Sequence, residues 1–218
     1  MQCAHITCHQ FSAGKSLMLP ACRNTLRVLF LCSGHITVNN VLLQKPAVYI
    51  EAPQKNITLV ADMESLLLEI RYRVNTLEFR EATMKSYPYL LVYDEAPTYK
   101  EACKSTKTIS RMLVAPRVLP GFSMGSVQTQ GTDLIAPHCH GDVDQYFYGL
   151  SENNCIAMID DCRHTFTANE LLHIPLGSIH GVLLEEEHTC HYLWIDFLLN
   201  EDALFYMDQA HKMEGEPL

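Results

Sequence analysis

The sequence predicts an all-β protein built from two tandem β-barrels and a short C-terminal helix. Two observations favour this class. Short apolar segments recur with turn residues between them about every eight to twelve positions, which is typical of sandwiches and barrels. The second half of the chain also repeats the spacing of apolar segments and turns found in the first half. With 218 residues, the chain is long enough for one large β domain or two small ones.

Turn and cap residues mark where the individual elements begin and end. Gly34 and the pair Asn39-Asn40 interrupt apolar segments of the first half. Asn200, followed by two acidic residues and then an apolar run, indicates a helix start, since acids favour a helix N-terminus. The predicted strands are residues 27–32, 35–38, 41–43, 47–50, 57–60 and 65–70, and then 156–159, 164–166, 171–174 and 191–197.

An internal overlay sets the predicted domain boundaries. Residues 48–56 align without gaps on residues 172–180, and the strands that follow keep the same offset. We therefore expect one barrel over residues 1–75 and a second barrel with the C-terminal helix over residues 109–218. Residues 76–108 contain prolines and mixed charges, which indicate a linker.

Composition excludes several classes of function. The formal net charge of -9 argues against a nucleic-acid partner, because no basic field would attract phosphate. No apolar run approaches the length that crosses a bilayer, so we expect no membrane contact. The nine cysteines are odd in number and scattered. We expect no secretory signal, because the first residues lack a basic segment that leads into an apolar stretch. Such a set of cysteines predicts reduced thiols in a cytoplasmic protein.

Three histidines in the second half form the strongest functional pattern. His138 and His140 flank Cys139, so on a strand the two imidazoles point to one face and the thiol to the other. A carboxylate follows closely, and His180 adds a third imidazole within the segment Pro-x-Gly-x2-His on a different strand. Three imidazoles and a carboxylate make a nitrogen and oxygen site suited to a divalent transition metal.

The paired spacing His-x-His-x3-Asp and Pro-x-Gly-x2-His resembles the signature of the cupins. The resemblance implies double-stranded β-helix (jelly-roll) barrels and, with the internal duplication, a bicupin. In the overlay, Asn56 stands opposite His180, and Gly14 and Ser16 stand opposite the first two histidines. We therefore expect the first barrel to lack metal ligands and to be structural.

The carboxylate is where the chain departs from the cupin pattern. Cupins usually present a glutamate after three or four intervening residues, and here Asp144 takes the first of these positions and Gln145 the second. We favour Asp144, because its anionic oxygen is a stronger ligand than an amide carbonyl. Gln145, or a three-histidine site completed by water, stands as the alternative. Zinc, iron, manganese and nickel all accept such a donor set, with one ion expected per chain.

Local segments are similar to the ketodeoxyuronate isomerases, and like these and the deoxyglucuronate isomerases the chain is predicted to have two barrels. The similar segments are residues 137–140, 145–148, 169–180 and 192–194. The resemblance implies aldose–ketose isomerisation of a sugar acid, with His138, His140, Asp144 and His180 holding the metal. Tyr146 and Tyr148 are candidates to supply hydroxyl groups to the pocket, and the alternative for both is core packing.

Other readings of the site stay open. The same ligands occur in cupin lyases and dioxygenases, and some cupins bind a small molecule without transforming it, as sensors. In each case the expected partner is a small-molecule substrate or ligand. The apolar sheets of the first barrel are also compatible with a homodimer. Fold-level analogy alone does not decide between these reactions.

Overall fold

The computed structural model describes residues 4–210 and 212–213. These divide into two compact units, one that ends at Ala96 and one that begins at Pro97. Antiparallel strands dominate each unit, so the predicted all-β class is confirmed. Within the described ranges, no helix combines the length and the apolar character needed to cross a membrane.

The first unit contains two antiparallel sheets. Its elements are β1 (Ala4–Phe11), β2 (Ser16–Leu19), β3 (Thr25–Ser33), β4 (Ile36–Val38), β5 (Val41–Leu43), β6 (Ala47–Ile50), β7 (Ile57–Ala61), β8 (Ser65–Arg73), α1 (Thr76–Thr83), β9 (Tyr89–Val92) and a 3₁₀ helix (Tyr93–Glu95). One sheet has the order β1-β8-β3-β6-β9 and the other the order β2-β7-β4-β5.

Strand β7 shows how the sequence directs this packing. Ile57, Leu59 and Ala61 are buried, whereas Thr58 and Val60 between them are exposed. Successive side chains of a strand point to opposite faces, so this alternation turns one face to the core and the other to solvent. The apolar residues join a core cluster made from both sheets of the unit.

The second unit is larger and carries the histidine segments. Its elements are β10 (Thr98–Lys100), β11 (Ile109–Leu119), β12 (Phe122–Gln130), β13 (Asp133–His138), β14 (Val143–Gly149), β15 (Asn154–Ile159), β16 (Cys162–Thr167), β17 (Leu171–Ile174), β18 (His180–Leu184), β19 (Thr189–Leu198), α2 (Glu201–Ala210) and β20 (Lys212–Met213). The predicted C-terminal helix is confirmed, and the Asn200 side chain caps it by accepting a hydrogen bond of 2.9 Å from the Ala203 N–H.

Strand pairing follows one scheme in both units. The first unit has the series β1-β8-β3-β6 and β2-β7-β4-β5. The second has β12-β19-β14-β17 and β13-β18-β15-β16. In the second unit β15 also pairs with β19, which joins the two series into one curled sheet. Eight strands in two such antiparallel series form a jelly roll, so the predicted jelly-roll fold is confirmed.

Residues 76–108, predicted as a linker, carry regular structure. Strand β9 pairs with β6 in the first unit, and β10 pairs with β11 in the second. The boundary between the units accordingly falls after Ala96. The physical reason is that an edge strand leaves its backbone groups unpaired, and a short added strand satisfies them.

Candidate metal centre

Three histidines of the second unit meet inside the jelly roll. His138 ends β13 and His180 begins β18, and the two are direct partners across the strand pair. His140 follows in the loop after β13. The ring centroids lie 4.5 Å apart for His138 and His180, 5.0 Å for His138 and His140, and 5.2 Å for His140 and His180. One nitrogen of each ring lies within 4.8 Å of the others, so the described residues bring together a set that could hold a metal ion.

Backbone carbonyls orient two of these imidazoles. The Nδ1 atom of His138 lies 2.8 Å from the Ala136 carbonyl oxygen, and that of His180 lies 3.2 Å from the Ser178 carbonyl oxygen. Each carbonyl can only accept, so each Nδ1 carries the hydrogen and each Nε2 offers a lone pair. The His180 Nε2 atom is buried and has no hydrogen-bond partner.

Electrostatics keep His180 in the neutral form that binds metal. Burial, followed by the nearby charge of His138, lowers the pKa of His180 to about 4. An imidazole with this pKa is unprotonated at neutral pH, and only the unprotonated ring can ligate a cation.

The structure brings Gln145 to the histidines and places Asp144 on the other face of β14. Gln145 lines the cavity with all three histidines. Its Nε2 donates a 2.7 Å hydrogen bond to Asp196 Oδ1, and its Oε1 is buried without a hydrogen-bond partner. Asp144 Oδ1 instead lies 2.7 Å from the Nε2 atom of His173. Neighbouring residues of a strand face opposite ways, so only one of the two can reach the cavity.

The same alternation moves Tyr146 and Tyr148 away from the site. Both share the face of Asp144, and neither lines the cavity. The Tyr146 ring stacks on the His173 ring with centroids 4.6 Å apart. The hydroxyl of Tyr148, which is buried, donates a 3.2 Å hydrogen bond to Asn169 Oδ1. The structure thus assigns the two tyrosines packing contacts rather than the pocket hydroxyls expected from the sequence.

Three charged residues that sequence reasoning missed also line the cavity. Glu101 and Lys104 form a nearly buried ion pair, and the Lys104 ammonium also donates a 3.1 Å hydrogen bond to Ser110 Oγ. Asp196, on β19, is 1% exposed. Burial raises the pKa of Asp196 to about 7, the hydrogen bond from Gln145 opposes this shift, and the charge of Glu101 adds to it.

Aromatic rings form part of the wall, and one more lies beside His140. Phe147, Tyr192 and Trp194 line the cavity. Tyr206 of α2 lies with its ring centroid 5.3 Å from that of His140 and is partly exposed. The cavity has a volume of about 30 Å³. By this measure a single water molecule needs about 10–15 Å³, so the space suits one ion together with a small ligand group.

The donor set fits a divalent transition metal. Three imidazoles and one amide oxygen converge in a buried space, and two of these donor atoms, His180 Nε2 and Gln145 Oε1, have no hydrogen-bond partner. Nitrogen and oxygen donors of this kind accept zinc, iron, manganese and nickel. These residues therefore suit the predicted ion, with Gln145 rather than Asp144 beside the histidines.

The first unit has apolar residues at the corresponding positions. Leu19 at the end of β2 pairs with Ile57 at the start of β7, as His138 pairs with His180 between β13 and β18. This pairing moves the counterpart of His180 by one residue from Asn56 to Ile57. Both apolar residues are buried, and neither can ligate a metal.

Comparisons with known proteins identify the fold. No protein-family model matches the sequence, and no curated protein matches it either. A cupin 2 conserved barrel domain protein from Leptotrichia buccalis matches over 90% of this chain and 84% of its own, with a TM-score of 0.56 and 15% identity. An IolB-like protein from Salmonella typhimurium LT2 matches over 90% and 85%, with a TM-score of 0.67 and 12% identity. Oxalate decarboxylase from Bacillus subtilis, which has Mn(II) centres, matches over 90% and 69%, with a TM-score of 0.65 and 8% identity. The chain therefore has the cupin fold.

Proposed function

We propose that this chain is a metal-dependent bicupin enzyme that isomerises a small oxygenated substrate of the sugar-acid type. The observation that carries the proposal is the cluster of three imidazoles in a buried cavity that also holds two carboxylates and a lysine. The fold shared with an IolB-like protein supports this class of reaction, and the fold shared with a manganese protein supports a metal. The identical strand-pairing order of the two units supports a duplicated barrel.

In this proposal the second barrel holds one ion. The Nε2 atoms of His138 and His180, the ring of His140 and the Oε1 atom of Gln145 would form the ligand set. A divalent metal supplies Lewis acidity, which makes the C–H beside a bound carbonyl easier to deprotonate. The buried aromatic wall excludes water from the space around these ligands.

Glu101 is the residue we assign to proton transfer. Its carboxylate lines the cavity, and Lys104 holds it in place through their ion pair. An aldose–ketose isomerisation requires a base that takes a proton from the hydroxyl-bearing carbon and returns it to the adjacent carbonyl carbon. A carboxylate oxygen can take up and release that proton without any net change in the protein.

The small cavity limits how a substrate binds. About 30 Å³ accommodates the reacting oxygens of a sugar acid but not its whole carbon chain. The rest of the substrate must therefore extend past the mouth, where the partly exposed Tyr206 lies beside His140. We assign Tyr206 a role in contacting that outer part.

The same small volume favours a second candidate, a metal-dependent enzyme that cleaves a very short carboxylic acid. The fold shared with oxalate decarboxylase agrees with this candidate. The two candidates differ in product, since isomerisation conserves every atom of the substrate and decarboxylation releases carbon dioxide.

Metal content tests the site itself. Protein purified without an affinity tag, stripped with chelator and reconstituted with Zn²⁺, Mn²⁺, Fe²⁺ or Ni²⁺ is expected to retain about one ion per chain by elemental analysis. His180→Ala is expected to retain none, because it removes an oriented imidazole. A folded wild-type chain that retains no metal with any of the four ions would overturn the proposal.

Deuterium exchange tests the reaction. Metal-loaded protein incubated with uronic and ketodeoxyuronic acids in D₂O is expected to exchange the hydrogen beside the carbonyl, detected by proton NMR. Glu101→Gln is expected to lose this exchange by at least about 100-fold, the lower end of general-base contributions. Carbon dioxide release from oxalate without any exchange would favour the second candidate instead.

A further inference from the structure

Behind the candidate ligand Gln145 lies a second buried carboxylate that the reaction does not use. We propose that Asp196 is a positioning residue: it fixes the Gln145 amide with Oε1 toward the histidines and supplies the negative charge that a ligand carboxylate would otherwise bring. This inference rests on the proposed metal site and deepens it. It explains how a neutral amide serves where a cupin commonly presents glutamate.

The two side chains are held together by the sheet. Gln145 and Asp196 are direct partners in the β14–β19 register. The Gln145 Nε2 atom donates a 2.7 Å hydrogen bond to Asp196 Oδ1. Gln145 is 5% exposed and Asp196 is 1% exposed. Because both strands lie inside the sheet and both side chains are buried, the register holds the two groups side by side.

The chemistry of the pair selects one amide orientation. An amide has a donor end and an acceptor end, and in the structure the donor end of Gln145 bonds to an accepting oxygen of Asp196. The donor end must therefore face Asp196, which leaves Oε1 directed away from it, buried and unpartnered. If the amide were reversed, its NH₂ group would face the bound cation. Its Oε1 atom would then face an oxygen of Asp196.

Charge gives the second reason. A divalent cation held by neutral imidazoles and an amide keeps its full charge, which is unfavourable in a buried space without a nearby anion. Among the described residues that line the cavity, Lys104 already pairs with Glu101. Asp196 makes its hydrogen bond to a neutral amide rather than to a cationic side chain, so it is the carboxyl group that a bound cation would hold in the ionised form.

Exchanging the amide of residue 145 and the carboxyl group of residue 196 tests the proposal. The probe is Co²⁺ alone, titrated into full-length chelator-treated protein and followed by calorimetry and by the visible absorption of the bound ion. Asp196→Asn is expected to weaken Co²⁺ binding about 10- to 100-fold, the range found when partners of metal ligands are removed. Asparagine accepts either amide orientation and carries no charge, so both contributions are lost.

The double variant Gln145→Glu with Asp196→Asn is expected to restore binding to at least the wild-type level. The introduced glutamate would then ligate directly, and the amide of the introduced asparagine would donate a hydrogen bond to it. Asp144→Asn is the matched control, since it neutralises the adjacent buried carboxylate on the other face of β14, and it is expected to change affinity less than twofold. Melting of each metal-free variant shows that it is folded.

Wild-type affinity in folded Asp196→Asn would overturn the positioning role, and so would a folded double variant that binds no better than the single one. In both outcomes the metal site itself stands, because wild-type protein still binds Co²⁺. If folded wild-type protein binds no Co²⁺, the proposed function fails, and this inference fails with it.

Discussion

Asp144 and Gln145 are neighbours in sequence, but their side chains lie on opposite faces of one strand. Asp144 accepts a hydrogen bond from His173, whose side chain is 42% exposed. An ion pair with one solvent-exposed partner contributes little, because water screens it. We expect Asp144→Asn to lower the free energy of unfolding by no more than about 1 kcal/mol, measured by urea denaturation. A loss of several kcal/mol would show that Asp144 has a structural role beyond this pair.

Asp196 makes the stability of the metal-free protein depend on pH. Its pKa is raised by burial from an ordinary value of 3.8 to about 7. The folded protein thus favours the protonated carboxyl, a contribution that is complete below the unfolded pKa and is lost as pH rises through about 7. The asparagine of the Asp196→Asn variant cannot ionise, so the variant does not lose this stability as pH rises.

We therefore expect the difference in unfolding free energy between Asp196→Asn and wild type to shift in favour of the variant between about pH 5 and pH 8. Urea denaturation in the presence of chelator measures it at both values. A difference that stays constant across this range would contradict the raised pKa.

His180 makes the stability of the metal-free protein depend on pH in the opposite direction. Its pKa is lowered to about 4, so the folded protein favours the neutral ring. That contribution is complete above the ordinary value of 6.5 and is lost as pH falls through about 4. Between about pH 4 and pH 6.5 the contributions of Asp196 and His180 change in opposite directions with pH, so they largely offset each other in the stability of the metal-free protein.

At the scale of single elements, β12 and β19 approach closely at Gly125. This glycine is paired with Trp194 in the strand register. A Cβ atom added there would lie 2.3 Å from the Arg111 carbonyl oxygen and 2.3 Å from Cζ2 of the Trp194 ring. The absence of a side chain at Gly125 is what lets the indole lie against the sheet and line the cavity.

We expect Gly125→Ala to destabilise the protein by about 1–3 kcal/mol, as overpacking of a core does, and to shift the tryptophan emission. Gly141→Ala is the control, since nothing lies within 4 Å of the Cβ it would add. Denaturant unfolding followed by fluorescence compares the two. Equal stability of both variants would show that the ring moves aside without cost.

Strand patterns predicted β-barrels, the resemblance to cupins implied the jelly roll, and the spacing of the motifs predicted the three histidines, because each depends on local sequence. Spacing could not predict which of Asp144 and Gln145 faces the histidines. The turn at Gly141 and Asp142 separates β13 from β14, so the alternation of inward and outward positions does not continue from one strand to the next. Asp196 left a signal, since it is a charged residue within an apolar run. Glu101 and Tyr206 left none, because they reach the site from elements remote in sequence and only tertiary packing brings them there.

At the scale of the whole chain, the two units share one order of strand pairing but differ in the residues that the strands bring together. The second unit places His138 opposite His180, and the first places Leu19 opposite Ile57. The same strand pairing thus supports a polar cavity in one unit and apolar packing in the other. Because the strand scheme is the same, the difference must come from these side chains.

This difference predicts a stoichiometry of one ion per chain, and the chain carries its own reporter. Trp194 is the only tryptophan and lines the metal cavity. Co²⁺ titrated into metal-free protein is expected to quench its emission and to saturate at one equivalent, since Leu19 and Ile57 offer no ligand atom. Co²⁺ at about 100 times its dissociation constant should also stabilise the tryptophan-detected unfolding transition by about 2.7 kcal/mol. His180→Ala is expected to show neither effect. Saturation at two equivalents, or quenching that persists in His180→Ala, would place metal outside the three-histidine cavity.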